Sequence, residues 1–174
     1  MRIEDFYKFM KEREIIRLRK EDGEPFPWTT DPIFQTYKFT NVKRADDKTT
    51  RWFWKNVLEP NSEEPKENLL FHCALFRYFG TTEFSEAYGG WLDSWLNDKE
   101  TVRSIAKKRL EQNQRVFTGA YVITNQGIKA PKQDVVIDEF LTPLWHKLPD
   151  LVQVAEKTHS WQAVALEMMK LKGF

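Results

Sequence analysis

Arg17, Trp28, Asp31, Asn41, Arg44, Asp46, Asp47 and Arg51 crowd into one stretch, residues 16 to 54, which reads IRLRKEDGEPFPWTTDPIFQTYKFTNVKRADDKTTRWFW. Guanidinium groups beside aromatic faces suit a nucleotide, the first pairing with phosphate and the second stacking on a base. The carboxylates among them can orient the arginines or act as a general base, with Asp46 and Asp47 the candidates. Thr118, Gly119 and Tyr121 offer a second wall. A competing reading makes the same residues an Arg and Asp network that holds helices in register, and residue types alone weigh toward it.

Other chemistries are harder to build from this chain. Its glycines stand at 23, 80, 89, 90, 119, 127 and 173, and none completes GxxxxGK[ST] or GxGxxG, so no phosphate-cradling loop of those kinds exists. The chain is therefore not expected to use ATP on its own. His72, His146 and His159 are far apart, and the single Cys73 cannot build a zinc site of common spacing. No metal and no cofactor are expected. His72 beside Cys73 in an apolar segment reads as packing rather than as a nucleophile pair.

The candidate residues need a frame, and 174 residues with 41% hydrophobic content are enough for one globular helical domain. A lone cysteine fits a reducing compartment. Arg2, Glu4 and Asp5 interrupt the start where a signal peptide would need an apolar run, and no segment has the ~18 apolar residues of a membrane span. A cytoplasmic protein without a membrane partner is expected. Net charge is only +1, but residues 102–133 carry seven basic groups against the single acid Glu111. Such a patch beside aromatic residues is the usual footprint of a phosphate-backbone partner, although a charge run is more often a solvated helix face.

The breaks locate the elements. Residues 3–21 predict a first helix, stopped by Gly23, and Pro25, Pro27 and Pro32 forbid a helix through the next segment. Asp31 before Pro32 predicts a capped helix start, and Asp46 or Asp47 predicts another ahead of KTTRWFWKNVL. EPNSEEP closes that helix. KENLLFHCALFRYF, residues 66–79, predicts the core helix, with Leu69, Leu70, Cys73, Leu75, Phe76 and Phe79 wrapping the axis. Thr81 or Thr82 starts a short helix that stops at Gly89 and Gly90. Trp91 and Trp95 are placed on one helix face. A helix from Lys99 to about Asn113, capped by Asn97 or Asp98, turns Arg103, Lys107, Lys108 and Arg109 outward; Lys107 and Lys108 are its nucleic-acid candidates. VFTGAYVIT, followed by Asn125, Gln126 and Gly127, predicts one small β-hairpin near 116–129. A helix follows from about Gln133 to His146 with a kink at Pro143, and Ser160 caps a last helix from Trp161 to Lys172.

The string IRLRKEDGEPFPWTTDPIFQTYKFTNVKRADDKTTRW, together with VFTGAYVI, resembles the helical domain family associated with 5-hydroxymethyluracil DNA kinases and its relatives, the alpha-glutamyl/putrescinyl thymine pyrophosphorylases. FTNVKRADDKTTRW is the specific core of the likeness. The resemblance implies a mainly α fold similar to helix-hairpin-helix DNA glycosylases, and a part in phage pathways that hypermodify thymine in DNA. It implies that a hydroxymethyl group on the base is phosphorylated and then displaced by an amine, on a base held outside the stack. DNA is the implied partner, together with a P-loop DNA kinase or another modification enzyme acting in trans. By match to the motif, Arg17, Asp31, Asn41, Arg44, Asp47 and Arg51 are the implied site residues, with Trp28 or Tyr121 stacking on the displaced base. The family pattern continues past the last helix with a Gly-rich turn and a further helix, so the C-terminal part is expected to be missing here.

Overall fold

The computed structural model describes residues 2–174, and among them the regular structure is helical throughout, with no strand. The chain divides into two compact units, Met1–Arg51 and Trp52–Phe174.

The first unit is built on α1 (Ile3–Glu21) and the irregular chain that follows it. Gly23, at φ 76°, takes the left-handed conformation that ends the helix. What folds back onto α1 is held by polar groups as much as by apolar ones. The buried Arg13 guanidinium donates to the carbonyls of Phe39 at 2.7 Å and Thr40 at 3.3 Å. No carboxylate among the described residues pairs with it, and burial lowers its pKa. Beside it, the rings of Phe9, Phe34 and Phe39 form a triangle with centroids 5.0 to 5.5 Å apart. Asp31 caps α2 (Pro32–Thr36) by accepting the Ile33 N–H at 2.8 Å, with Pro32 at the first helical position as expected. Asp47 does the same for α3 (Lys48–Phe53), accepting the Thr50 N–H at 2.9 Å.

The second unit packs around α4 (Lys66–Phe79), whose Phe71, Leu75 and Phe79 are almost wholly buried. The helix bounds match the expectation, as does the burial of Leu75 and Phe79, but the rest of the buried face does not. Leu69, Leu70 and Phe76 are only partly covered and Cys73 is exposed, while Phe71, His72, Ala74 and Tyr78 are inside. Gly80 at φ 66° stops α4, and Thr81 caps α5 (Thr82–Ala87) through the Phe84 N–H at 3.3 Å.

α6 (Trp95–Glu111) begins earlier than expected, after Ser94 rather than at Asn97 or Asp98. Trp91 therefore lies outside the helix and shares no face with Trp95. Trp95 is fully buried, whereas Trp91 stacks on the His72 imidazole with centroids 3.8 Å apart.

The expected hairpin at 116–129 is absent: this segment is an irregular strap. Val116 is buried, Phe117 stacks on Phe79 at 5.2 Å, the Thr118 N–H donates to the Phe79 carbonyl at 2.8 Å, and Arg77 lies over the Tyr121 ring. Phe117, Thr118 and Tyr121 are thus engaged by the end of α4, while Val122 is left in solvent. A second strand has no room either, since Ile128, Lys129 and Ala130 run directly into Pro131, which lacks a ladder donor.

The next helix runs on well beyond His146. α7 (Lys132–Val135) passes into a π-helical stretch, Val136–Leu141, and then into α8 (Thr142–Thr158). The wide turn absorbs Pro143, which has no N–H to give to the preceding turn. Thr142 closes the gap: its hydroxyl donates to the Ile137 carbonyl at 2.7 Å and accepts the Trp95 indole N–H at 3.0 Å. α9 (Trp161–Met168), capped by Ser160, ends the helical order four residues before Lys172.

Candidate functional site

Arg17 is held by three carboxylates: Glu14 through two bonds of 3.0 and 2.6 Å, Glu21 at 2.6 Å, and Asp46 at 3.4 Å. Spacing dictates the first two, because residues three and four apart on α1 face each other. The Glu14 bond in particular raises the Arg17 pKa, and the same bond lowers that of Glu14. Asp46 arrives on the 3-10 turn Arg44–Asp46, whose position is fixed by the Asn41 side-chain amide donating to the Asp46 carbonyl at 2.8 Å. Arg51, one turn into α3, reaches Glu21 at 2.9 Å. Together these groups line a hollow of about 280 Å3, and every residue that lines it belongs to the first unit.

Two features of the hollow bear on chemistry. Its lining carries five cations, Arg13, Arg17, Lys20, Lys48 and Arg51, against the two carboxylates Glu21 and Asp46. Arg17 is spent on its three partners and Arg13 on backbone carbonyls, which leaves Lys20, Lys48 and the half-exposed Arg51, paired with Glu21 alone, as the cations nearest to an incoming anion. Sequence reasoning missed Lys20 and Lys48. The signal for Lys20 was its spacing from Arg17 and Glu21 on one helix; Lys48 gave none beyond its place after two aspartates. The second feature is Asp46 Oδ2, which is buried and makes no hydrogen bond among the described residues, its one near cation being Arg17 Nε at 3.4 Å. A buried carboxylate oxygen without a hydrogen bond is uncommon, and here the Arg17 charge compensates it.

The other expected residues lie elsewhere. Asp47 spends Oδ1 on the start of α3, and Arg44 is 79% exposed with Asp47 at 4.0 Å as its ion-pair partner. Asp31 caps α2 and borders a different hollow with Phe9, Phe34 and Phe39. Trp28 gives its indole N–H to the Glu24 carbonyl at 2.7 Å, with Lys20 over its ring at 4.4 Å and Phe26 against it edge-on. That ring is engaged within its own loop. In the second unit, Tyr121 is covered on one face by the Arg77 guanidinium at 3.7 Å, and its hydroxyl donates to the Arg77 carbonyl. It borders a hollow of about 350 Å3 with Tyr78, Phe140 and Phe174. The second wall offered by Thr118, Gly119 and Tyr121 is thus no part of the lining of the first-unit hollow.

On α6, Lys107 and Lys108 are exposed as expected, but Arg103 is not outward. Its guanidinium holds Glu100 at 2.9 Å, Asp134 at 2.7 Å and Asp138 at 2.7 Å, tying α6 to the stretch that starts at α7. The Asp138 and Glu100 bonds raise its pKa. Arg109 is likewise occupied, donating to the Arg115 carbonyl at 3.0 Å. The basic segment therefore presents a smaller free face than its composition implies.

A family model described as the 5-hmdU DNA kinase, helical domain, matches residues 1–173. The chain belongs to that family. The helical domain is also 32% identical over 123 residues to the 5-hmdU DNA kinase of Bacillus phage SP10, a match that covers 69% of this chain and 19% of that protein. It thus spans about one fifth of that relative's length. No solved structure matches it. Among its described residues no three His, Cys, Asp or Glu side chains gather as a metal site, and no helix is long and apolar enough to cross a membrane.

Proposed function

We propose that this helical domain is the DNA-handling part of a 5-hydroxymethyluracil modification system, binding the modified duplex and presenting the base to phosphotransfer machinery. That machinery would be a P-loop kinase segment in the same polypeptide or acting in trans. The observation that carries the reading is the first-unit hollow, where Lys20, Lys48 and Arg51 converge in a chain of this family. Three cations without a full set of carboxylate partners suit phosphate oxygens, and the exposed Lys107 and Lys108 add a second place for backbone contact. A glycosylase-like action, with the base drawn out of the stack, is the part of the proposal that gives a helical domain something to do before the kinase acts. The proportion of the phage relative that lies outside the match, about four-fifths, leaves ample chain for the phosphotransfer itself.

The test is affinity for duplexes that differ only in 5-hydroxymethyluracil against thymine, measured at several salt concentrations. Tighter binding to the modified duplex is expected, with log K falling linearly in log salt. Lys48→Ala and Arg51→Ala each reduce the slope by about 1, as loss of one phosphate contact does. Equal and negligible affinity for both duplexes overturns the reading. If both variants lower thermal stability while leaving affinity untouched, the network is a scaffold and nothing more.

A second reading, in which this domain contributes a general base to a displacement on the modified base, is favoured by one observation. Asp46 Oδ2 makes no hydrogen bond and has only the Arg17 ion pair at 3.4 Å, whereas Asp47 is occupied as a helix cap. Asp46 is then the base and Asp47 is not. Asp46→Asn is expected to bind DNA normally and make no product, while Asp47→Asn loses stability first.

A further inference from the structure

Glu21 already holds the guanidinium that a phosphate in the first-unit hollow would need. One of its oxygens accepts a hydrogen bond from Arg17 Nη1 at 2.6 Å, and the other lies 2.9 Å from Arg51 Nη2. Lys20 and Lys48 line the same hollow and have no carboxylate partner among the described residues. A carboxylate offers arginine a planar pair of oxygens, which is also the face that a phosphate presents to it.

The two arginines depend on Glu21 unequally. Arg17 keeps Glu14 through two bonds and Asp46 at 3.4 Å if Glu21 lets go, so its charge stays matched. Arg51 has no other carboxylate among the described residues. Glu21 is also poorly placed for its own helix. It is the last residue of α1, where unpaired carbonyls concentrate negative potential and the neighbouring Arg19 and Lys20 are the charges that suit the position. The Glu21 side chain is 37% exposed and that of Arg51 52%, so their contact opens into water rather than into a sealed interior.

Resting on the reading of this hollow as a phosphate site, we propose that Glu21 is a built-in competitor for it: in the free domain Glu21 occupies Arg51, and a DNA phosphate binds by taking Arg51 from it. The exchange is selective. A single-atom anion such as chloride replaces one contact with one contact, whereas a phosphate gives Arg51 a two-oxygen face and has further oxygens for Lys20 and Lys48. Glu21 keeps its bond to Arg17, so the carboxylate turns from Arg51 without disturbing the rest of the network.

Affinity for an unmodified thymine duplex, a probe of backbone contact alone, tests this in Glu21→Gln, Arg51→Ala and the double variant. Asp22→Asn is the control, because Asp22 is the adjacent exposed acid and does not line the hollow. At low salt Glu21→Gln is expected to bind about three- to tenfold tighter, and Asp22→Asn to change affinity by less than about twofold. The gain is expected to vanish where Arg51 is already alanine, since the two substitutions then act on one contact. A gain that persists without Arg51, or that Asp22→Asn matches, is a general charge effect and overturns the proposal. Affinity unchanged by Glu21→Gln, while Lys48→Ala and Arg51→Ala weaken binding, also overturns it and leaves the phosphate site standing. No affinity in any of these proteins removes both. The wild-type chain supplies a reading that needs no variant: on titration with the duplex, the Glu21 carboxyl carbon and Arg51 Nε resonances are expected to move together, and a Glu21 signal unmoved at saturation refutes the exchange.

Discussion

His72 sits in the second unit with both ring nitrogens committed. Nδ1 lies 2.8 Å from the Asn68 carbonyl, so it must carry the proton, and Nε2 accepts the Leu92 N–H at 2.9 Å. One face is covered by Trp91 at 3.8 Å. A second proton has nowhere to go without breaking the Leu92 bond, and burial lowers the pKa to about 4 from an ordinary 6.5; Asp93 is the nearby charge that opposes the drop. The unfolded chain binds a proton at His72 below pH 6.5 while the folded one refuses it until about pH 4. Stability from this group is therefore complete above pH 6.5 and declines as pH falls through that window. The difference is worth about 3 kcal/mol in total, from roughly 1.4 kcal/mol per pKa unit. Urea unfolding at intervals between pH 7 and 4.5 measures it. Carboxylates titrate in the lower part of the same range, so His72→Phe is the control: it keeps a ring on Trp91, leaves Leu92 without an acceptor at a cost of about 1–3 kcal/mol, and removes the imidazole's share of the slope. A His72 resonance that titrates near 6.5, or identical pH slopes for the two proteins above pH 5, would refute the reasoning.

Two further outcomes follow from contacts already described. Arg103→Met strips Asp134 and Asp138 of their shared partner and is expected to lower stability by about 2 kcal/mol, whereas Lys107→Met, on the same helix but exposed, stays within about 0.5 kcal/mol; thermal melts compare them. Gly80→Ala forces a left-handed residue to carry a Cβ 2.9 Å from both Thr118 Cγ2 and Tyr121 Oη. A loss of about 1–3 kcal/mol is expected, with the strap at 116–124 losing amide-exchange protection before α4 does.

Local chemistry was legible where a single residue type decides it. Asp31, Asp47, Thr81 and Ser160 cap helices because a short polar side chain before a helix has one good use, and Gly23 and Gly80 stop them because an L side chain is strained at positive φ. What the sequence could not reveal depends on which partner arrives from far along the chain. Arg103 looked solvated until Asp134 and Asp138, more than 30 residues away, closed on it. VFTGAYVIT reads as a strand by propensity, yet its Phe117 and Tyr121 rings are claimed singly by the end of α4, and a strand without a pairing neighbour has no ladder to join. The candidate site divides the same way. Motif spacing brought Arg17, Asn41, Asp46 and Arg51 forward, but only the folded loop decided that Arg17 is bound up by carboxylates, that Asp47 is a cap, and that Lys20 and Lys48 join the lining of the hollow. A residue's type sets what it can do; the partners that tertiary structure delivers determine which of those capacities is left over.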